Sequence, residues 1–268
     1  MKTELLERIV NSPSDRRKFM KRVGATGIGV AAATMLGGSL GKIEAATTIT
    51  DADILNFALN LEYLEGEFYS VATTGQTLVQ LGIIPPSAVT GPTTGGSMVN
   101  FSGSSVAFVA TALASDEQTH VRFLRSVLGT KAAVKKPAIN LDALGYGFAS
   151  VNDFLKLARQ FEDVGVSAYL GAAPLIQSKI YLAKAAAIMA TEAQHSGSVR
   201  LECIDNGVVS PAVDSLDVPP TMQTPYDVNA NALSIPRTTA QVLNIVYAGG
   251  KCSGGFYPDG MNGTIVCQ

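Results

Sequence analysis

The chain has only two histidines, and both stand in the same four-residue frame. They read Glu117-Gln118-Thr119-His120 and Glu192-Ala193-Gln194-His195. With ten glutamates in 268 residues, shuffling would place a Glu three positions before both histidines about once in several hundred chains. The spacing therefore calls for a physical cause. On an α-helix, positions i and i+3 share a face, so each pair offers a carboxylate oxygen and an imidazole nitrogen to one point. Two such pairs make half of a two-metal carboxylate site, which other helices must complete.

Four helical segments can be read around them. The first runs from about Asp51 to Val71, opened by Thr50 with Asp53 three residues on, a capping-box pattern. A linker with Pro85-Pro86 and Gly95-Gly96 leads to a second, from about Ser105 to Leu128, which stops at Gly129. A connection containing Pro137 and Gly145 precedes the third, Val151 to Ala172, opened by Ser150 and Asp153. Pro174 ends it, and the fourth spans about Lys179 to Ile204, closed by Asp205-Asn206-Gly207. Abundant alanine, few aromatics and no Trp favour packed helices over a sandwich or barrel. A net charge of −2 and 16% charged residues describe a globular protein without the basic excess that nucleic acid binding requires.

A weak internal repeat organises these segments. A shift of one hundred residues superposes Thr50 on Ser150, Asp53 on Asp153, Glu62 on Glu162 and Tyr69 on Tyr169. A shift of 75 superposes Glu117 on Glu192, His120 on His195 and Arg125 on Arg200. The chain reads as two helical hairpins, each bringing one Glu and one Glu-x-x-His. Glu62 and Glu162 each lie twelve residues beyond their caps, about 18 Å into the helix. Glu117 and Glu192 lie at similar depth in the other two helices. Antiparallel packing would put all four at one level, where buried carboxylates repel unless protons or cations neutralise them. Glu65 competes with Glu62 for the same face, but its repeat partner is Gly165, which favours Glu62.

One Glu from each of two helices plus Glu-x-x-His from each of two others is the di-iron or di-manganese carboxylate bundle pattern. The sequence resembles the ferritin-like superfamily over about residues 50 to 206. Stretches such as Leu59-Asn60-Leu61-Glu62-Tyr63-Leu64-Glu65 and Tyr169-Leu170-Gly171-Ala172-Ala173-Pro174 are similar to exported ferritin-like proteins related to plant desiccation-associated proteins. The resemblance implies an all-α, four-helix ferritin-like bundle binding two iron ions, with manganese as the alternative. It implies single-carboxylate ligands at Glu62 and Glu162, bridging ligands at Glu117 and Glu192, and imidazole ligands at His120 and His195. Tyr69 and Tyr169 would stand near the metals as hydrogen-bond donors or redox groups. Asp116 is expected to orient a ligand imidazole from behind. Ferroxidase, peroxidase or catalase-like chemistry on oxygen or peroxide would follow; the alternative is a metal-binding structural or stress-protection protein without turnover.

Residues 1–45 read as a targeting segment. Arg16-Arg17-Lys18-Phe19-Met20-Lys21 resembles a twin-arginine export signal, followed by a mildly apolar stretch from Val23 to about Leu40 and a cleavage region near Ile43-Glu44-Ala45. The export machinery is then a partner and the periplasm or another extracytoplasmic space the destination. In such an oxidising compartment Cys252 and Cys267 could close a small loop, leaving Cys203 as a buried thiol. The expected layout is thus a signal over 1–45, a bundle over 46–206 and an irregular tail over 207–268. That tail carries one short amphipathic segment, about Thr238 to Tyr247, and is expected to wrap the bundle because it is too aperiodic for a core of its own. A homo-oligomer is allowed by the sequence and not specified by it.

Overall fold

A computed structural model of the chain describes residues 49–268. The expected export signal and cleavage region fall outside the described residues. Five α-helices form the described chain: α1 Asp51–Thr74, α2 Val106–Leu128, α3 Val151–Ala172, α4 Lys179–Asp205 and α5 Thr239–Val246. The first four make an all-α bundle in which α1 packs mainly on α2 and α3 on α4, with α1–α3 and α2–α4 contacts joining the hairpins.

The helix starts follow from their caps. Thr50 is extended, its hydroxyl accepts from the Asp53 N–H at 3.2 Å, and the Asp53 carboxylate accepts from the Thr50 N–H at 2.8 Å. The Ser150 and Ser178 hydroxyls accept from the Asp153 and Tyr181 N–H groups at the starts of α3 and α4, without the reciprocal bond. Helix α1 runs three residues past the expected Val71. Thr73 and Thr74 extend it by bonding the Tyr69 and Ser70 carbonyls at 2.7 Å, and Gly75, at φ 72°, then closes it.

Burial divides the helices into two kinds. Helix α1 is buried all round from Ile54 to Ala72, whereas α2 and α4 keep an outward face. Linker and tail residues bond α1 at Asn56, Asn60 and Tyr63 and α3 at Arg159 and Gln160. The two linkers join through a short parallel pair, β1 Thr93–Thr94 with β2 Ile139–Asn140, a feature too short to show any period in sequence. Beneath it, the Lys136 ammonium is buried beside Thr93 at 2.8 Å and Glu67 at 3.6 Å.

Three buried arginines fasten residues 210–237 to the α3–α4 hairpin. Arg159 binds Asp217 with both carboxylate oxygens, at 2.8 and 2.6 Å, and also Ser210 and the Pro211 carbonyl. Arg200 bonds Asp163 at 2.6 Å and the carbonyls of Val218, Thr224 and Pro225. Arg237 pairs with Asp214 and bonds the Ser167 hydroxyl at 3.0 Å. A side chain at Gly171 would collide with the Arg237 carbonyl. Beyond it, α5 buries Val242, Leu243 and Val246, and Tyr257 donates to the Asn60 carbonyl of α1 at 2.7 Å. Cys252 and Cys267 form a disulfide, and Cys203 is a buried thiol whose pKa burial pushes up to about 12. Among the described residues, no helix is long and apolar enough to cross a membrane.

Candidate metal centre

At mid-bundle the chain buries four carboxylates where hydrocarbon would be expected. Glu62, Glu117, Glu162 and Glu192 are each exposed by 1% or less. With the two histidines they form two interlocking groups, Glu62/Glu117/His120/Glu192 and Glu117/Glu162/Glu192/His195, and within each group the donor atoms lie within 4.8 Å of one another. Glu117 and Glu192 belong to both groups.

The histidines define the two poles. His120 Nδ1 stands 3.0 Å from Glu117, 3.3 Å from Glu62 and 3.3 Å from Glu192. His195 Nδ1 stands 2.9 Å from Glu117 and 3.3 Å from Glu162, and the two ring centroids are 6.1 Å apart. The tyrosines exchange partners across the bundle. Tyr69 of α1 donates to Glu162 Oε1 on α3, and Tyr169 of α3 donates to Glu62 Oε1 on α1, both at 2.5 Å. Seven residues advance an α-helix about 10 Å, so this exchange requires α1 and α3 to run antiparallel around a local twofold. Asp116 lies behind His195, with its Oδ2 3.1 Å from the outer Nε2.

The inner oxygens are the decisive observation. Glu62 Oε2, Glu117 Oε1, Glu162 Oε2, both Glu192 oxygens and His195 Nδ1 are buried without a hydrogen-bond partner. Leaving one such group unmet costs roughly 1–3 kcal/mol, more when it is charged. His195 Nδ1 and Glu117 Oε1 stand 2.9 Å apart without a well-aligned hydrogen bond between them. Four carboxylates balance the charge of two divalent cations. The donor set, oxygen-rich with one imidazole at each pole, fits hard or borderline divalent ions.

Without cations the cluster holds protons instead. Burial, with the charge of Glu117, pushes Glu62 up to about 7. Burial with neighbouring carboxylates raises Glu192 well above the ordinary range. Burial also opposes ionisation of Glu117, but the close approach of His120 and His195 outweighs it and holds that carboxyl at about 2. Burial alone would lower both imidazoles, yet the carboxylates at Nδ1 overcome it, raising His120 and pushing His195 to about 12.

The six expected ligands are brought together at this centre, with both tyrosines and Asp116 beside them, whereas Arg125 and Arg200, which the repeat also pairs, bond Tyr63 and Asp163. Glu65 is not absent from it. Its carboxyl is buried one turn beyond Glu62, and burial with the charge of Glu192 raises it well above its usual range. It occupies the space beside Gly165, where a Cβ would lie 3.2 Å from Glu65 Oε1 and 2.5 Å from Glu192 Oε2. The mismatch of Glu65 with Gly165 in the repeat was the sequence signal for this fifth carboxyl. The buried Glu67–Lys136 and Arg159–Asp217 pairs carried no comparable signal, because each joins a helix to an irregular segment.

A profile described as a ferritin-like domain matches residues 50–203. The chain belongs to the ferritin-like domain family. Among curated proteins, this ferritin-like chain is similar to the ferritin-like catalase Nec2 of Nesocodon mauritianus. They are 23% identical over 269 aligned positions, which cover 81% of this chain and 85% of the relative.

Proposed function

We propose that the chain is an exported redox protein that binds two iron ions, with manganese the alternative, and disproportionates peroxide. Glu62 and His120 would hold one ion and Glu162 and His195 the other, with Glu117 and Glu192 shared between the two groups. The observation that carries this reading is the sharing of Glu117 and Glu192 between two groups of buried donors with unpartnered inner oxygens. The name of the catalase relative supports peroxide over oxygen as the substrate.

When bound, two redox-active ions supply a two-electron store, which lets one peroxide leave as dioxygen and a second be reduced to two waters. The protein's own part is to bind, orient and exclude water. Tyr69 and Tyr169 each occupy the outer oxygen of a single-carboxylate ligand and so aim its inner oxygen at the ion; their phenols are also the redox-active side chains in contact with the site. The exposed edges of the cluster are the two imidazoles, with side-chain exposures of 11% for His120 and 9% for His195. Substrate therefore approaches between α2 and α4.

Metal analysis of the protein purified after export should find about two iron or manganese ions per chain, and the loaded protein should evolve dioxygen from peroxide. Glu192→Ala should abolish both. Absence of bound iron or manganese, or metal uptake unchanged in Glu192→Ala, would overturn the reading. Two firmly held ions that raise the melting temperature without turnover would replace it with a structural metal centre.

A further inference from the structure

The local twofold of the site is broken at one position behind the histidines. His195 on α4 has its outer Nε2 3.1 Å from Asp116 of α2. The 75-residue shift that superposes the two Glu-x-x-His frames places Thr191 where Asp116 would be needed to serve His120. Thr191 turns its hydroxyl back to the Ala187 carbonyl of its own helix at 3.4 Å. Among the described residues, the outer nitrogen of His120 has no hydrogen-bond partner, although its Nδ1 faces three carboxylates.

A carboxylate on the far nitrogen of a ligand imidazole fixes its tautomer and ring orientation and makes the near nitrogen a better donor, typically changing metal affinity by about 10–100-fold. It also adds a negative charge beside one cation and not the other. We infer that the two metal positions are unequal: the Glu162/His195 position, backed by Asp116, fills first and holds its ion, and the Glu62/His120 position fills second and exchanges. Asp116 is then a positioning residue that sets the order of loading. The inference rests on the two-metal reading above.

Manganese(II), added stepwise to the chelator-stripped full chain, tests it by calorimetry and electron paramagnetic resonance. Two binding steps should separate by about tenfold or more. One equivalent should give the resolved hyperfine spectrum of an isolated ion, and a second should convert it to the broad spectrum of a coupled pair. Asp116→Asn should weaken the first step about 10–100-fold and bring the two together. His120→Ala should leave the first step in place and remove the second. Thr191→Asp, which supplies the missing carboxylate, should tighten the second step. Coupled spectra from the first addition, or an unchanged separation in Asp116→Asn with helical content preserved, would overturn the inference. A chain that takes up no manganese and no iron would instead overturn the two-metal reading itself.

Discussion

Gly165 shows how much of the centre depends on what one residue lacks. A methyl there would sit 2.5 Å from Glu192 Oε2, inside van der Waals contact, so the Glu192 carboxylate would have to leave its place between the two groups. Gly165→Ala should lower metal uptake at least tenfold while leaving the helical circular dichroism intact; full uptake would show that Glu192 can move aside. The phenols make a second test. Tyr69→Phe or Tyr169→Phe strands a buried carboxylate oxygen, at a cost of roughly 1–3 kcal/mol each, measurable by urea unfolding of the metal-free protein. A loss no larger than that of an exposed control such as Tyr226→Phe would mean that the carboxyls find other donors. At this scale the sequence was most readable for residues that repeat: Glu62 with Glu162, and His120 with His195. It was least readable for Glu65, which appeared as a rival to Glu62 when it is a neighbour beside it.

Among the elements, α3 and α4 depend on a charge that no helical pattern reveals. Asp163 is exposed by 2% and takes hydrogen bonds at 2.6 Å from both Arg200 and Ser196. Arg200→Ala would leave that carboxylate buried beside the Arg159–Asp217 pair and release three tail carbonyls. Removing one partner of a buried ion pair typically costs about 3–5 kcal/mol. The tail should then become sensitive to proteolysis near Thr221 while the bundle core stays protected. Unchanged cleavage would show that α5 and the Cys252–Cys267 loop hold the tail without the arginines. Helix existence and caps were legible because Thr50, Ser150 and Gly129 act locally. The destination of Arg200 was not, since its partners lie far apart in the sequence and come together only on folding.

For the whole molecule, the protons of the metal-free site set how stability depends on pH. His195, folded pKa about 12, and His120, raised in the same direction, exceed the ordinary histidine value of about 6.5. Their protonated forms contribute stability that is complete below that value and is lost as pH climbs toward the folded values. Glu62, raised to about 7, acts in the same sense from about pH 4.3 upward. Glu117, held at about 2, acts oppositely, but only in acid. The metal-free protein should therefore melt at falling temperature from about pH 6 to 9, while divalent metal affinity rises over that range as ligands shed protons. Calorimetry with and without manganese checks both slopes, and a metal-free melting temperature that rises with pH would contradict the assignment.

The two Glu-x-x-His frames and the hundred-residue shift were enough to specify a helical bundle and to single out six residues that the fold gathers at one level, because i, i+3 geometry is a property of the helix itself. Only the tertiary structure decided which carboxylate oxygens are left without partners. It also decided that the tyrosines cross between hairpins, that Glu65 fills the gap at Gly165, and that Asp116 serves one histidine and not the other. Those facts depend on distances between helices, and side-chain packing sets such distances where no residue pattern along the chain records them.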